Sequence, residues 1–242
     1  MLSLGAIVDR FLTFSLLPIA TFREKFLFTR QVKDNPDLHD LFIDGVLNLS
    51  DILPSSARHD LESWADELSF SYSRNTNGKT VRHYNVHLEH PVPLLPLKHL
   101  SKILNVYFDY SPWIVDQTQW QISFPSPNSL PGQGFHVDAF YPSLKLFIYN
   151  GPVNALNGPM LYIKGSHRWP KNIFKRALWS LFRSLRLTYF PQVDINKAST
   201  LLSENPYSFF LCDMRLFHSS SRLEFGTRTV TVINFRKRYV FM

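Results

Sequence analysis

The feature that most restricts the fold is a change of hydrophobic period at about Gln117. Before it, apolar residues recur at helical spacing. "SSARHDLESWADELS" carries Leu61, Trp64 and Leu68 on one side, with Ser55 or Ser56 expected as the cap, and "PLKHLSKILNVYF" repeats the pattern with Leu97, Leu100 and Leu104. After it, alternation sets in and β-branched and aromatic residues crowd the runs "TQWQISF", "SLKLFIYN", "GPMLYIKG", "YSFFLCD" and "TRTVTVINF". Successive side chains of a strand point to opposite faces, so each run must bury at least one face. Gly and Pro separate the runs at "SPNSLPGQG", "YNGPVNALNGP" and "EFGT". Short strands after a helical lead-in predict an α+β domain whose core is a two-sheet sandwich or barrel.

Composition narrows the class further. With 242 residues, 45% hydrophobic and 19% charged, the chain holds one sizeable core, so a single domain over 1–242 is expected. Within it, 1–115 reads as a mainly helical lead-in and 116–242 as the β core, with a helical insert near 171–188. The one cysteine, Cys212, excludes an intrachain disulfide and any multi-cysteine zinc or iron–sulfur site, and makes a reducing cytoplasm the default location. The formal charge of +7 favours anionic partners: phosphates, acidic sugars, carboxylates or an anionic membrane surface. The apolar run from Phe11 to Phe22 contains Pro18 and is too short to span a bilayer. No basic region precedes it and no small-residue cleavage site is evident, so a signal peptide is not expected.

The chemistry lies in "GFHVDAF". In a strand, His136 and Asp138 would project together while Val137 turns away, an arrangement able to grip a metal. Alone, such a pair is unsurprising in a chain with nine histidines. A second strand-end histidine, His218, follows the run Phe209 to Leu211 and an expected Cys212-Asp213 turn. Ten residues later Arg228 heads the strand "RTVTVINF". Two histidines and one carboxylate on one face of an iron leave three positions open, as in non-haem Fe(II) oxygenases. An arginine nearby can clamp a carboxylate through two parallel hydrogen bonds.

In these motifs the chain resembles the phytanoyl-CoA dioxygenase-like family of Fe(II)/2-oxoglutarate-dependent oxygenases, from about Asp40 to Asn234 and most strongly after Gly134. "LFIDGVLNLSDILP" is similar to the family's N-terminal phrase, and "FHVD" to its proximal ligand motif, with Phe135 where tryptophan is common. "LKLFIYNGPVNALNGPMLYIKGSHRW" resembles two strands, a loop ending in Asn157-Gly158-Pro159 and a Gly165-Ser166-His167 turn. "CDMRLFHSSSRLEFGTR" resembles the distal ligand region, with Cys212 in place of the usual glycine.

The resemblance implies a double-stranded β-helix, or jelly roll, with N-terminal and flanking helices, and a hydroxylase using Fe(II), 2-oxoglutarate and O2 that releases succinate and CO2. It implies that His136, Asp138 and His218 hold iron and that Arg228 binds the distal carboxylate of 2-oxoglutarate, aided by Ser220. Lys145 and Tyr149 share a face of "SLKLFIYN" and are candidates for the cosubstrate or substrate pocket, and Gln121 is a looser one. Each has a plainer rival: serines in "HSSS" can solvate a turn, and Lys145 can snorkel from a sheet edge. His167 is read as fixing its turn, not as a ligand. Asp138 itself favours hydroxylation, since related halogenases carry a small residue there. The expected partner is a small or lipid-linked molecule, with no nucleic acid. The alternatives are a catalytically silent jelly-roll protein that binds metal or ligand, and a cupin-like isomerase or sugar binder, which would need a denser histidine set. Finally, "KNIFKRALWSLFRSLRLTYF" sets Phe174, Leu178, Leu181, Phe182 and Leu185 against Lys175, Arg176, Arg183 and Arg186. Such a helix either packs on the core with a solvated basic face or seats the protein peripherally on an anionic membrane.

Overall fold

A computed structural model describes residues 33–73, 80–125, 135–139, 142–168 and 195–238. The apolar run from Phe11 to Phe22, the loop "SPNSLPGQG" and the expected helical insert near 171–188, with its basic residues, lie outside the described residues. In chain order the main elements are α1 (His39–Ile43), β1 (Val46–Asn48), α2 (Ser55–Tyr72), β2 (Val81–Tyr84), α3 (Leu94–Tyr107), β3 (Trp113–Ser123) and β4 (Ser143–Asn150). They continue with β5 (Met160–Ile163), β6 (Ala198–Thr200), β7 (Tyr207–Asp213), β8 (His218–Ser220) and β9 (Arg228–Lys237). A six-stranded sheet runs β1-β7-β4-β9-β3-β2 and a three-stranded sheet runs β6-β5-β8, with every pairing antiparallel.

All five alternating runs form strands, and their alternation sorts the large sheet into two faces. Leu144, Leu146, Ile148, Phe209, Leu211, Ile233, Phe235 and Trp120 share one cluster with Leu61, Trp64, Leu68, Leu100 and Leu104 of α2 and α3. The intervening residues Tyr149, Phe210, Cys212, Val230 and Val232 form a second cluster with Met160 and Tyr162 of the small sheet. Fully burying each large aliphatic side chain contributes about 1.5–3 kcal/mol, so this double burial is what holds sheet to helices and sheet to sheet. The result is a jelly roll with helices on its outside. Among the described residues no helix is long and apolar enough to cross a membrane.

Three local expectations are corrected. The α2 helix is capped at Pro54 with no side-chain hydrogen bond, and Ser55 Oγ instead accepts from Arg58 Nη2 at 3.2 Å. β3 begins at Trp113, ahead of the visible period change, because a register shift between Val115 and Gln117 breaks the alternation there. Cys212 and Asp213 do not turn: β7 continues through Asp213, and Cys212 sits in register with Val46 and Lys145.

Candidate metal centre

His136 does not lie in a strand; it forms one isolated antiparallel bridge with His218, each donating its N–H to the other's carbonyl at 2.9 Å. Two residues on, the N–H groups of Asp138 and Ala139 both donate to Met214 O at 3.1 Å. The HVD segment is thereby laid across the connection from β7 to β8. Val137 packs with Phe135 and Phe217 in an apolar cluster with Leu161 and Ile163. His136 and Asp138 instead meet His218: Asp138 Oδ1 lies 3.4 Å from His136 Nε2, Asp138 Oδ2 lies 3.5 Å from His218 Nε2, and the two ring centroids are 4.5 Å apart.

These three donor atoms fall within 4.8 Å of one another. Ligands adjacent on one ion with bonds of about 2.1 Å are separated by roughly 3 Å, so small movements suffice to close the set on a metal. The tautomer is also suitable. His218 Nδ1–H donates to Leu216 O at 3.0 Å, which turns Nε2 to the site, where loss of its proton would free a lone pair for a metal. Burial alone would push the Asp138 carboxyl up, but hydrogen bonds from His136 and His218 and the charges of His218 and Lys145 outweigh it, holding the group well below the usual carboxylate range. A hard carboxylate with two imidazoles is a donor set for a divalent first-row ion such as iron.

Lys145, on the inner face of β4, donates from Nζ to Asp138 Oδ2 at 2.6 Å. Sequence reasoning put it in the pocket without seeing this partner, which the β4 register and the crossing HVD segment bring to it.

A second pole lies around Arg228. Its Nη1 donates to Gly158 O, and its Nε is buried without a partner among the described residues. Gly158 has φ +75°, and a Cβ there would stand 3.2 Å from Arg228 Nη1, so the approach depends on glycine. Burial pulls the guanidinium pKa down from its ordinary value, with Tyr149 opposing that and Arg82 adding to it. Tyr149, opposite Val230 in register, has its hydroxyl pushed up to about 12 by burial and bonds the Met160 backbone. An unpaired buried donor on a cation calls for an anionic acceptor, and a carboxylate fits. Ser220 stands opposite Met160 in β8, and in its neighbour Ser221 the hydroxyl is buried without a partner among the described residues. The "HSSS" run offered no means of choosing between them.

Gln121 faces inward opposite Val230, yet its amide is engaged along its own strand, accepting from Gln119 at 3.0 Å and donating to Ser123 at 2.7 Å. His167 is buried, with Nε2–H donating to Phe42 O at 3.0 Å, while Ser166 Oγ accepts from the Phe217 N–H at 2.9 Å. The Gly165-Ser166-His167 turn therefore ties α1 to the strand that carries His218.

No protein-family model and no curated protein matches the chain. Solved structures do. HygX from Streptomyces hygroscopicus, with nickel and 2-oxoglutarate bound, aligns at TM-score 0.56 and 17% identity over 85% of this chain and 87% of its own. EctD from S. alaskensis with bound Fe aligns at TM-score 0.57 and 16% identity, covering 84% and 76%. The non-heme alpha ketoglutarate dependent epimerase SnoN from nogalamycin biosynthesis aligns at TM-score 0.56 and 13% identity, covering 84% and 81%. At such identities the likeness establishes architecture: the chain has the jelly-roll fold on which these α-ketoglutarate- and metal-binding proteins are built.

Proposed function

We propose that this chain is an Fe(II)- and 2-oxoglutarate-dependent dioxygenase of the phytanoyl-CoA dioxygenase-like kind, hydroxylating a C–H bond of a small or lipid-linked, anionic molecule with release of succinate and CO2. The observation that carries the reading is the His136, Asp138 and His218 donor set on the same jelly roll as Arg228, whose buried Nε meets no acceptor among the described residues. The structural neighbours that hold nickel with 2-oxoglutarate, or iron, support it. The net charge of +7 and the exposed Arg82, within electrostatic reach of Arg228, support an anionic substrate.

Bound iron would supply the oxidative decarboxylation of 2-oxoglutarate and the C–H oxidation coupled to it. The chain's own residues orient the reactants. His136, Asp138 and His218 would hold the ion. Lys145 engages one oxygen of Asp138 and so fixes the orientation of that carboxylate. Arg228, with Tyr149 and Ser221 near it, would receive the distal carboxylate. Val230, Val232 and Phe210, buried between the sheets, keep water from that end.

Anaerobic addition of Fe(II) and 2-oxoglutarate should produce a weak visible charge-transfer band, and candidate substrates should stimulate succinate formation. His136→Ala, Asp138→Ala and His218→Ala should each remove both signals in a folded protein; unchanged turnover in any two rejects the triad. Mass analysis fixes the outcome. One added oxygen supports hydroxylation, whereas a product of unchanged mass points to an epimerisation of the kind named for SnoN. Metal binding without succinate across the screen points to the silent binding protein instead.

A further inference from the structure

The connection from β7 to β8 carries two backbone carbonyls that reach metal-ligand residues. Met214 O receives the N–H groups of Asp138 and Ala139 at 3.1 Å, and Leu216 O receives His218 Nδ1–H at 3.0 Å. What holds these carbonyls in place is a buried polar knot. Asp213 is fully buried, and its carboxylate accepts from Tyr107 Oη at 2.5 Å, Arg215 N at 2.9 Å, Arg215 Nε at 3.0 Å and Arg215 Nη2 at 2.7 Å. Arg215 Nη2 also lies 3.3 Å from the Tyr107 hydroxyl. The backbone closes the same turn: Asp213 N–H donates to Gly45 O at 2.8 Å, Met214 N–H to Ser143 O at 2.9 Å, and Leu216 N–H to Asp213 O at 3.0 Å.

A buried ion pair adds little stability over apolar packing of the same volume, because desolvating both charges offsets most of their attraction. Its distinctive effect is geometric. Four donors converging on one carboxylate from three directions permit the turn one conformation, and that conformation aims the Met214 and Leu216 carbonyls. We propose that Asp213, Arg215 and Tyr107 form a brace that positions Asp138 and His218 for metal binding, with Tyr107 linking α3 to the site. This role rests on the metal reading above. All three are positioning residues; none of their side chains is a proposed ligand.

The test uses Co(II) as the probe, titrated into metal-free full-length protein and read in its visible spectrum. Tyr107→Phe keeps the ring and deletes one hydroxyl; Arg215→Lys keeps the charge and deletes the fork. The comparator is Tyr207→Phe, which deletes another tyrosine-to-carboxylate hydrogen bond, from the far end of β7 to Asp66 on α2. Outer-shell changes typically cost ten- to a hundredfold in metal affinity, so Tyr107→Phe and Arg215→Lys should each weaken Co(II) binding by about tenfold and alter its absorption bands. Tyr207→Phe should bind as the parent does. Parental affinity and spectrum in Tyr107→Phe, or an equal loss in Tyr207→Phe, overturns the brace while leaving the metal site standing. A parent that binds no Co(II) overturns the metal reading and this role with it. Should Arg215→Lys fail to fold, Tyr107→Phe decides alone.

Discussion

Arg228→Lys keeps a charge at the second pole and removes the planar fork, so it separates attraction from geometry. A charge-assisted hydrogen bond contributes about 1.5–3 kcal/mol, and its loss should raise the 2-oxoglutarate requirement ten- to a hundredfold while Fe(II) binding is spared. An unaltered 2-oxoglutarate titration would move the clamp elsewhere. Lys145 behaves differently because its partner is the proposed ligand Asp138. The pair stabilises the metal-free protein, yet its ammonium repels an incoming cation at close range, where unit charges in a protein interact by a few kcal/mol. Lys145→Met should therefore lower the melting temperature of the metal-free protein and enlarge the rise produced by Fe(II) or Co(II). An equal rise in parent and variant would dismiss the repulsion. That His136, Asp138 and His218 could meet was legible because their residue types and spacing survive in the sequence as motifs. Lys145's partner was not, since it depends on where the irregular segment carrying Asp138 crosses the sheet.

Gly45 joins α1 to β1 with φ +86°, its N–H returning to Asp40 O at 3.0 Å as a helix-ending glycine does. A Cβ there would lie 2.7 Å from both His167 Nδ1 and Leu216 Cδ2. Strain at such a position costs about 1–3 kcal/mol, and the crowding adds to it. Gly45→Ala should thus destabilise more than Gly226→Ala, where φ is +73° but no atom stands within 4 Å. Urea unfolding of both variants checks this, and equal losses would show that the backbone term acts alone. Elements differ in the same way in how far they can be read from sequence. β4 and β9 alternate over 8 and 10 residues, long enough for two buried faces to leave a period. β1, β6 and β8 have 3 residues each, too few to show one, so their pairing partners define them. The first part of the chain carries α1, α2 and α3, and within it β1 and β2 complete the edges of the large sheet. The α2 cap misled because two serines follow Pro54, whose fixed backbone already starts the helix.

At the scale of the whole molecule, acid stability follows from polar groups buried where α1, α3 and the β7–β8 connection meet. Burial lowers His167 from an ordinary 6.5 to about 4, with the Asp213 charge opposing the shift and Arg215 and Arg168 reinforcing it. Between these values the unfolded chain binds a proton that the folded chain refuses, so stability falls as pH falls through that window. The full loss is roughly 3 kcal/mol at 1.36 kcal/mol per unit. Asp213 extends the decline. Burial alone would raise its carboxyl, but Arg215, His167 and Tyr107 bring it to about 2 from an ordinary 3.8, so its contribution is present above the ordinary value and is lost as pH falls through about 2. His167→Gln retains an N–H able to donate to Phe42 O and removes the titration. Urea unfolding in steps from pH 7 to roughly 2 should therefore give a parent curve that drops in two stages and a His167→Gln curve that stays level until the second. If the variant fell as steeply as the parent between pH 6.5 and 4, the first stage would belong to groups other than His167.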